Sequence, residues 1–350
     1  MRKKILVDIY LAFNIGDDMF LDYLANTFPE VDFVPFHAGN NYDTFFSKYK
    51  NVSKFPYTLF DKIKSRIFYS KLKDYKWMSQ HFDGILFLGG GIFREEDYWK
   101  EVYTYRSDIT QAFKENEKPV WIAGSNFGPY STSSFLEAYK DLFNKMNKVT
   151  FRDHASYNLF ASNAKISYAP DVLWSYNLPK SDKKEKTLGI SVIDPGHKQG
   201  YKHTKSKYIE THRKLCHRFL SNGYKIKIFS FCENEGDLDV AKSIADGVGD
   251  VDVINYAGDI DDFLIEIGSC SKFVAARFHA NIIAMKFQTE FIPIVYSSKT
   301  ENLLSDLGFS PPFINLENIE DLNTADFLKI DQQLVKDLAV KSRDHLSGIF

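Results

Sequence analysis

An arginine and a histidine two residues apart follow a short apolar strand in the segment Ala275-Ala276-Arg277-Phe278-His279-Ala280-Asn281. In a parallel α/β sheet, ligands bind outside the carboxyl ends of the strands, and the N-terminus of the next helix favours anions. Arg277 can clamp a carboxylate or phosphate, and His279 can transfer a proton near neutral pH. The pair predicts a site that binds an anionic substrate and moves a proton. The alternative is a surface arginine and a histidine near a helix N-cap.

Glycine-rich and polar loops follow other predicted strands. They are Gly16-Asp17-Asp18 after the first strand, Gly89-Gly90-Gly91 after a later one, and Gly124–Pro129, which contains Asn126, after the next. Glycine lets a ligand approach the backbone closely, and successive N–H groups can form an anion nest. The last two loops predict one continuous binding edge, whereas tight turns and helix caps are the simpler interpretation of each loop alone.

Two further cations occupy strand-to-helix junctions, Arg152 beside Asp153 and Lys299 after the strand that follows the Arg277 strand. Each could bind an anion, although an ion pair with an N-cap and a solvent-exposed lysine are the alternatives. A polar loop over residues 194–203 holds two histidines and two lysines, which suits a mobile lid or an acceptor contact. His197 and His203 lack metal-ligand spacing and partners, so we predict no metal site.

The composition is that of a globular protein. Of 350 residues, 44% are hydrophobic and 26% charged, and the formal net charge is −2. That balance excludes the basic field of a nucleic-acid-binding protein. Three cysteines without a CxxC or metal spacing indicate structural thiols in a reducing compartment. No apolar run approaches the roughly 18 residues of a membrane span, and Asp8 interrupts the N-terminal run, so we expect a first strand, no signal peptide and a cytoplasmic protein.

Apolar runs alternate with helical patterns along the chain, which predicts an α/β protein with mostly parallel sheets. We expect two Rossmann-like lobes facing across a cleft, residues 1–180 on the acceptor side and 187–325 on the donor side, joined by a charged linker over 181–186. Residues 326–350 predict a C-terminal helix that could pack back on the first lobe. A basic amphipathic segment over 62–76 would suit peripheral contact with the inner face of an anionic membrane, or a solvated helix face.

Taken in order, these segments resemble the polysaccharide pyruvyl transferase family. The resemblance rests on the glycine loops at 16–18, 89–91 and 124–129, Arg152-Asp153 with Ser156, Pro170-Asp171, Arg277 with His279, and Tyr296 with Lys299. It implies a GT-B-like fold and transfer of a pyruvyl group from phosphoenolpyruvate to two hydroxyls of a sugar, which gives a cyclic ketal. It also implies that Arg152 and Arg277 bind the carboxylate and phosphate of the donor and that His279 is the acid/base.

The same residues leave two other functions open. In a GT-B glycosyltransferase that uses a nucleotide sugar, Glu233 or Glu235 at a strand end would bind the ribose hydroxyls. A non-catalytic homologue would bind a carbohydrate without releasing phosphate. For pyruvyl transfer, the expected partners are phosphoenolpyruvate and a saccharide acceptor, either free or lipid-linked. Lys299 is expected to be a further contact of the donor. That chemistry requires no metal and no redox cofactor.

Overall fold

The computed structural model describes residues 2–36, 39–56, 74–182 and 186–350, and it contains two parallel sheets of six strands each. The chain divides into two compact units. The first unit comprises Met1–Leu11, Phe20–Val172 and Lys341–Phe350, and the second comprises Ala12–Met19 and Leu173–Val340. Residues 12–19 group with the second unit and residues 341–350 with the first.

The first unit is built on a sheet with the strand order β2-β1-β3-β4-β5-β6, in which every pair is parallel. Its strands are β1 (Lys3–Asp8), β2 (Val31–Pro35), β3 (Gly84–Leu88), β4 (Val120–Ser125), β5 (Lys148–Phe151) and β6 (Ile166–Tyr168). Among the described residues, the helices up to β6 are α1 (Ile15–Thr27), α2 (Asp43–Phe46), α3 (Tyr75–His81), α4 (Trp99–Glu115), α5 (Ser133–Lys145) and α6 (His154–Phe160).

Aromatic side chains fill much of the core of this unit. Phe127 packs edge-on against Tyr139, Phe143 and Phe160, with ring centroids 5.8, 6.1 and 4.9 Å away. Such edge-to-face contacts add to the large apolar area that each ring buries. Phe, Trp and Tyr make up 16% of the sequence. This core, at the strand end that carries the Gly124–Pro129 loop, accounts for part of that content.

The second unit has the strand order β12-β11-β10-β7-β8-β9, again with parallel pairing throughout. Its strands are β7 (Thr187–Ser191), β8 (Lys225–Ser230), β9 (Asp252–Asn255), β10 (Lys272–Ala275), β11 (Glu290–Val295) and β12 (Ile314–Asn315). The helices that follow β7 are α7 (Lys205–Ser221), α8 (Asp237–Asp246), α9 (Ile260–Gly268), α10 (Phe278–Lys286), α11 (Ser298–Asp306) and α12 (Gln332–Lys341). Two sheets of this kind confirm the predicted α/β fold class.

Two strands were not predicted from the apolar runs. Val31–Pro35 contains Asp32 and ends in a proline, which weakens a strand pattern, and it lies at the edge of its sheet, where proline is tolerated. Ile314–Asn315 is only two residues long. Of the predicted basic segment over 62–76, residues 62–73 lie outside the described residues, as do 183–185 of the linker. Within the described ranges, no helix is both long and apolar enough to span a bilayer.

Candidate functional site

The turn from β10 into α10 places Arg277 and His279 at a strand end of the second unit. Arg277 is the N-cap residue of α10, with extended backbone. The hydroxyl of Ser191, the last residue of the adjacent strand β7, accepts hydrogen bonds from the backbone N–H groups of Ala276 (2.9 Å) and Arg277 (3.3 Å). Asn281 donates back to the carbonyl of Arg277 at 2.9 Å. Neighbouring elements therefore fix the turn that carries both predicted residues.

The guanidinium of Arg277 is held by two carboxylates. Its Nε donates to Oδ2 of Asp237 at 2.8 Å and its Nη2 donates to Oδ1, while its Nη1 donates to Oε2 of Glu235 at 2.6 Å. Burial alone would lower the pKa of Arg277, but the charges of Asp237 and Glu235 raise it well above its ordinary value. Arg277 therefore stays charged, and the protein's own carboxylates, on Asp237 and Glu235, balance that charge.

His279 lies against the first turn of α1. A Cβ built on Gly16 would be only 1.6 Å from Nδ1 of His279. The backbone N–H of Ile15 in the same turn donates to the carbonyl of Phe231 at 3.2 Å. The structure therefore brings two of the predicted segments together, the Gly16-Asp17-Asp18 loop and the Arg277–His279 junction.

Asp18 in that loop is fully buried, and its Oδ2 accepts a hydrogen bond of 2.7 Å from the hydroxyl of Tyr256. Tyr256 follows β9, so the bond links α1 to a further strand end of the second unit. A buried carboxylate requires such a partner because its desolvation is unfavourable. This contact makes Asp18 a residue that orders the loop on which Gly16 approaches the imidazole.

Two lysines of this unit could supply a second cation. Lys299 was predicted from the sequence, and Lys198 was not. Nζ of Lys299, at the start of α11, lies 5.9 Å from the ring centroid of Phe278. Lys198 donates to Oε2 of Glu235 at 2.9 Å, and its Nζ lies 5.5 Å from the ring centroid of Tyr296. Sequence reasoning noticed Lys198 only as part of the polar 194–203 loop. Its link to Glu235 spans two loops, so no local spacing could have revealed it.

Arg152 occupies a buried position in the first unit. Its Nη1 donates to Oδ2 of Asp171 at 2.9 Å, and its Nη2 donates to Oδ1 of Asn126 at 2.7 Å. A Cβ on Gly90 would lie 2.4 Å from Nη1 of Arg152. The structure thus brings together Gly90, Asn126 and Arg152, and the ion pair with Asp171 is only 1–2% exposed on its two side chains.

The two glycine-rich loops of the first unit are joined directly. The hydroxyl of Ser125 donates to the carbonyl of Gly89 at 2.6 Å, and the backbone N–H of Asn126 donates to the carbonyl of Gly90 at 2.9 Å. Asp153 caps α6 by accepting from the N–H of Ser156 at 2.7 Å. These bonds order the loops beneath Arg152. By contrast, a Cβ on Gly91 would meet nothing within 4 Å.

Sequence reasoning missed His345, in the short 3₁₀ turn Ser342–His345 that follows α12. Its Nδ1 accepts from the backbone N–H of Gly124 at 3.1 Å, and its Nε2 donates to the carbonyl of Pro170 at 2.9 Å. The two partners fix one neutral tautomer, and burial lowers the pKa of His345 to about 3. His345 therefore braces the backbone on both sides of the Asn126–Arg152–Asp171 cluster.

Glu233 and Glu235, the alternative ribose contacts predicted for a nucleotide-sugar enzyme, both have hydrogen-bond partners. Glu233 accepts a hydrogen bond of 2.8 Å from Nδ2 of Asn255, and Glu235 is shared between Arg277 and Lys198. In the described part of the chain, no group of three or more His, Cys, Asp or Glu side chains is arranged to hold a metal ion.

Two α/β units, each built on a parallel six-stranded sheet with charged residues at strand ends, are typical of the GT-B fold. Comparison with solved structures agrees. MnaA of S. aureus, solved with UDP, has a TM-score of 0.57 at 10% identity and covers 98% of this chain and 92% of its own. UDP-GlcNAc 2-epimerase of Neisseria meningitidis gives 0.56 at 11%, covering 97% and 94%. HepE of Anabaena, solved with UDP and glucose, gives 0.55 at 12%, covering 98% and 94%. The predicted GT-B-like fold is confirmed.

The chain belongs to the polysaccharide pyruvyl transferase family, which it matches over residues 14–298. It is also similar to the amylovoran biosynthesis protein AmsJ of Erwinia amylovora, with 23% identity over 288 residues. That alignment covers 73% of this chain and 65% of AmsJ, so it spans slightly less than two thirds of the relative. The family resemblance predicted from the sequence is confirmed.

Proposed function

We propose that this protein transfers the pyruvyl group of phosphoenolpyruvate to two hydroxyls of a saccharide in polysaccharide biosynthesis. Membership of the pyruvyl transferase family and the similarity to AmsJ support the transferase class and the kind of acceptor. The observation that carries the proposal is the junction at the end of β10, where a charged arginine and an imidazole occur within one turn of each other. One group can hold an anion there, while the other handles a proton.

In the proposed reaction, His279 protonates the methylene carbon of phosphoenolpyruvate, so C2 becomes an oxocarbenium-like centre. One sugar hydroxyl attacks C2 and loses its proton, the C2–O bond to phosphate breaks, and a second hydroxyl closes the ketal and loses its proton. The products are the cyclic ketal and inorganic phosphate. Positioned proton transfer of this kind typically contributes about 10²- to 10⁴-fold to the rate.

Arg277 would bind the donor, whose carboxylate and phosphate carry about three negative charges at pH 7. Arginine suits this task because its planar fork matches either group. Lys299, in the same unit, is proposed as a further donor contact, and the anion-binding role of Arg152 in the first unit stays a prediction. The loops at Gly89–Gly91 and Asn126 in the first unit are proposed to contact the acceptor, a free or lipid-linked saccharide, whereas Gly16–Asp18 is proposed to position His279.

The proposal is tested first by ligand-dependent thermal unfolding. Phosphoenolpyruvate at about 100 times its Kd stabilises the folded state by about 2.7 kcal/mol, which raises the Tm by a few degrees. We expect that shift in the wild type and its loss in Arg277→Ala. His279→Ala should keep the shift yet lose phosphate release in the presence of a saccharide acceptor.

Nucleotide sugars are the matched comparison in the same assay. A shift with a UDP-sugar and none with phosphoenolpyruvate would contradict pyruvyl transfer and favour glycosyl transfer. Saccharide binding without phosphate release in any acceptor screen would instead favour the non-catalytic alternative. Retention of wild-type turnover in His279→Ala would remove the imidazole from the mechanism.

A further inference from the structure

We infer that Arg277 and Lys198 together form a binding site for a phosphoryl group, and that the carboxylate of Glu235 is an internal counter-ion which the ligand displaces. The inference rests on the proposed function for the identity of the ligand, the phosphate of phosphoenolpyruvate. It adds a second cation and a displaceable anion to that site. Neither Lys198 nor Glu235 was predicted from the sequence to contact the donor.

Glu235 bridges the two cations through a single oxygen. Its Oε2 accepts from Nη1 of Arg277 at 2.6 Å and from Nζ of Lys198 at 2.9 Å. An oxygen held between a guanidinium and an ammonium has the surroundings that a phosphate oxygen requires. Burial would raise the pKa of Glu235, but Arg277 and Lys198 outweigh it and hold the pKa below its usual range. The bridging group is therefore an anion at neutral pH.

The two carboxylates on Arg277 differ in how firmly they are held. Asp237 is fully buried, contacts two guanidinium nitrogens, and accepts from the backbone N–H of Cys232 at 3.1 Å. The side chain of Glu235 is 27% exposed, and it belongs to the short 3₁₀ turn Glu233–Glu235. Asp237 therefore fixes the orientation of Arg277, whereas Glu235 has solvent on one side and can swing away.

Lys198 reaches this site because two loops pack closely. Gly236 has φ +83°, and a Cβ there would lie 2.9 Å from Oδ2 of Asp194. Asp194 also accepts from the N–H of Gly196 (2.7 Å) and from Nζ of Lys205 (2.7 Å), which orders the start of the 194–203 loop. The polar loop whose role the sequence left open is thus the element that delivers Lys198 to Arg277.

Charge balance explains why a counter-ion is needed and why a phosphoryl group would replace it. Two cations and two carboxylates make the occupied cluster neutral, so Arg277 is not left as a buried unpaired charge. When Glu235 leaves, one net positive charge faces the incoming phosphate, and its oxygens can take the hydrogen bonds of Arg277 and Lys198. Affinity for an anion is therefore lowered by the competing carboxylate.

The test compares two isosteric substitutions in the same 3₁₀ turn by isothermal titration with inorganic phosphate and, separately, phosphoenolpyruvate. Glu235→Gln removes the competing charge, so we expect the Kd for phosphate to fall about tenfold, as for one charged hydrogen bond no longer displaced. Glu233→Gln makes the same change in net charge at a residue bound to Asn255, and we expect its Kd to stay within about twofold of the wild type.

Lys198→Met should raise the Kd for phosphate about tenfold, whereas Lys198→Arg should largely restore it. Lys202→Met is the matched control, since it removes an exposed lysine from the same 194–203 loop. A purely structural role for Lys198 would not distinguish arginine from methionine in Kd at equal Tm.

Equal phosphate affinity in Glu235→Gln and Glu233→Gln, or no binding by any variant at millimolar phosphate, overturns the inference. Should Glu235→Gln fail to fold, equal affinity in Lys198→Met and Lys202→Met overturns it as well. The proposed function fails separately: phosphate binding that responds as expected, with no binding of phosphoenolpyruvate to the wild type, would support the anion site and contradict the donor.

Discussion

Gly16 and His279 approach so closely that the first turn of α1 has room for a hydrogen atom and for no larger substituent. A Cβ on Gly16 would lie 1.6 Å from Nδ1 and 2.4 Å from Cε1 of the imidazole. The contact explains why a glycine stands in a helix, where it is usually unfavourable relative to alanine. The loop and the proposed acid/base are parts of one arrangement.

Gly16→Ala should therefore displace the imidazole and destabilise the second unit. An alanine would normally stabilise a helix by about 0.5–1 kcal/mol, but overpacking of this kind costs about 1–3 kcal/mol, so the clash dominates. We expect a lower Tm by a few degrees and a loss of phosphate release. Thermal unfolding and the activity assay on the same preparation measure both effects.

A double-mutant cycle isolates the contact. In a His279→Ala background the clash disappears, so Gly16→Ala should become neutral or slightly stabilising. If Gly16→Ala lowers the Tm equally in both backgrounds, the imidazole is not what requires glycine at this position.

In the first unit, Gly90→Ala should disturb Arg152. A Cβ at that position would meet the guanidinium at 2.4–2.6 Å, and Arg152 has little room to move because it is buried and paired with Asp171. Shifting one partner of a buried ion pair is costly, and we expect a loss of about 2–3 kcal/mol in the free energy of unfolding. Urea denaturation checks the value.

Gly91→Ala is the matched control for this prediction. It changes the next residue of the same loop, but its Cβ would have no neighbour within 4 Å. We expect an unfolding free energy within about 0.5 kcal/mol of the wild type, as for an open surface site. Similar losses for the two variants would contradict a specific contact between Gly90 and Arg152.

The sequence was sufficient to predict the strands that carry the site and several residues at their ends. Continuous apolar runs such as Gly84–Leu88 are typical of strands buried on both faces, and the structure has that strand with these bounds. Arg277 and His279 could be placed at a strand end because the strand and the helix flanking them are local features. The contact between Gly16 and His279 joins residues far apart in sequence, and only the sheet topology produces it.

The charge partners could not be predicted, because they depend on which loops meet. Asp237 and Glu235 follow β8, whereas Arg277 follows β10, and β7 lies between these strands in the sheet. His345 lies more than 200 residues from Gly124, its donor, and no periodicity connects them. Arg277, for which the sequence left a surface position open, is therefore buried in the fold, where carboxylates balance its charge.

Asp237→Asn should destabilise the second unit strongly. It removes the buried carboxylate that contacts two nitrogens of Arg277. Glu235 still accepts a hydrogen bond from the guanidinium. Breaking a buried pair by removing one partner typically costs about 3–5 kcal/mol. Asp239→Asn, an exposed change of equal charge on the same helix, should be close to neutral in urea denaturation. Comparable stability of the two variants would show that the bidentate pair is not a major support of the fold.

Acid should weaken the first unit through His345. The pKa of His345 is lowered to about 3 in the folded protein from its ordinary 6.5. Between these values the unfolded chain binds a proton that the folded protein does not, so stability falls as the pH decreases below about 6.5 and levels off near 3. The slope contributed by one such histidine is at most about 1.4 kcal/mol per pH unit.

His345→Gln should remove that contribution to the slope while lowering stability at pH 7, since glutamine only partly replaces the bonds to Gly124 and Pro170. Urea denaturation at pH 7 and pH 5 should therefore show a smaller acid-induced loss in His345→Gln than in the wild type. His217→Gln, at an exposed position, should keep the wild-type loss. Buried His212 in the second unit, with a pKa lowered to about 4, adds its own slope to every variant, so the difference between variants is the quantity that tests His345. An identical loss in His345→Gln and the wild type would mean that His345 is not the neutral, buried brace of Gly124.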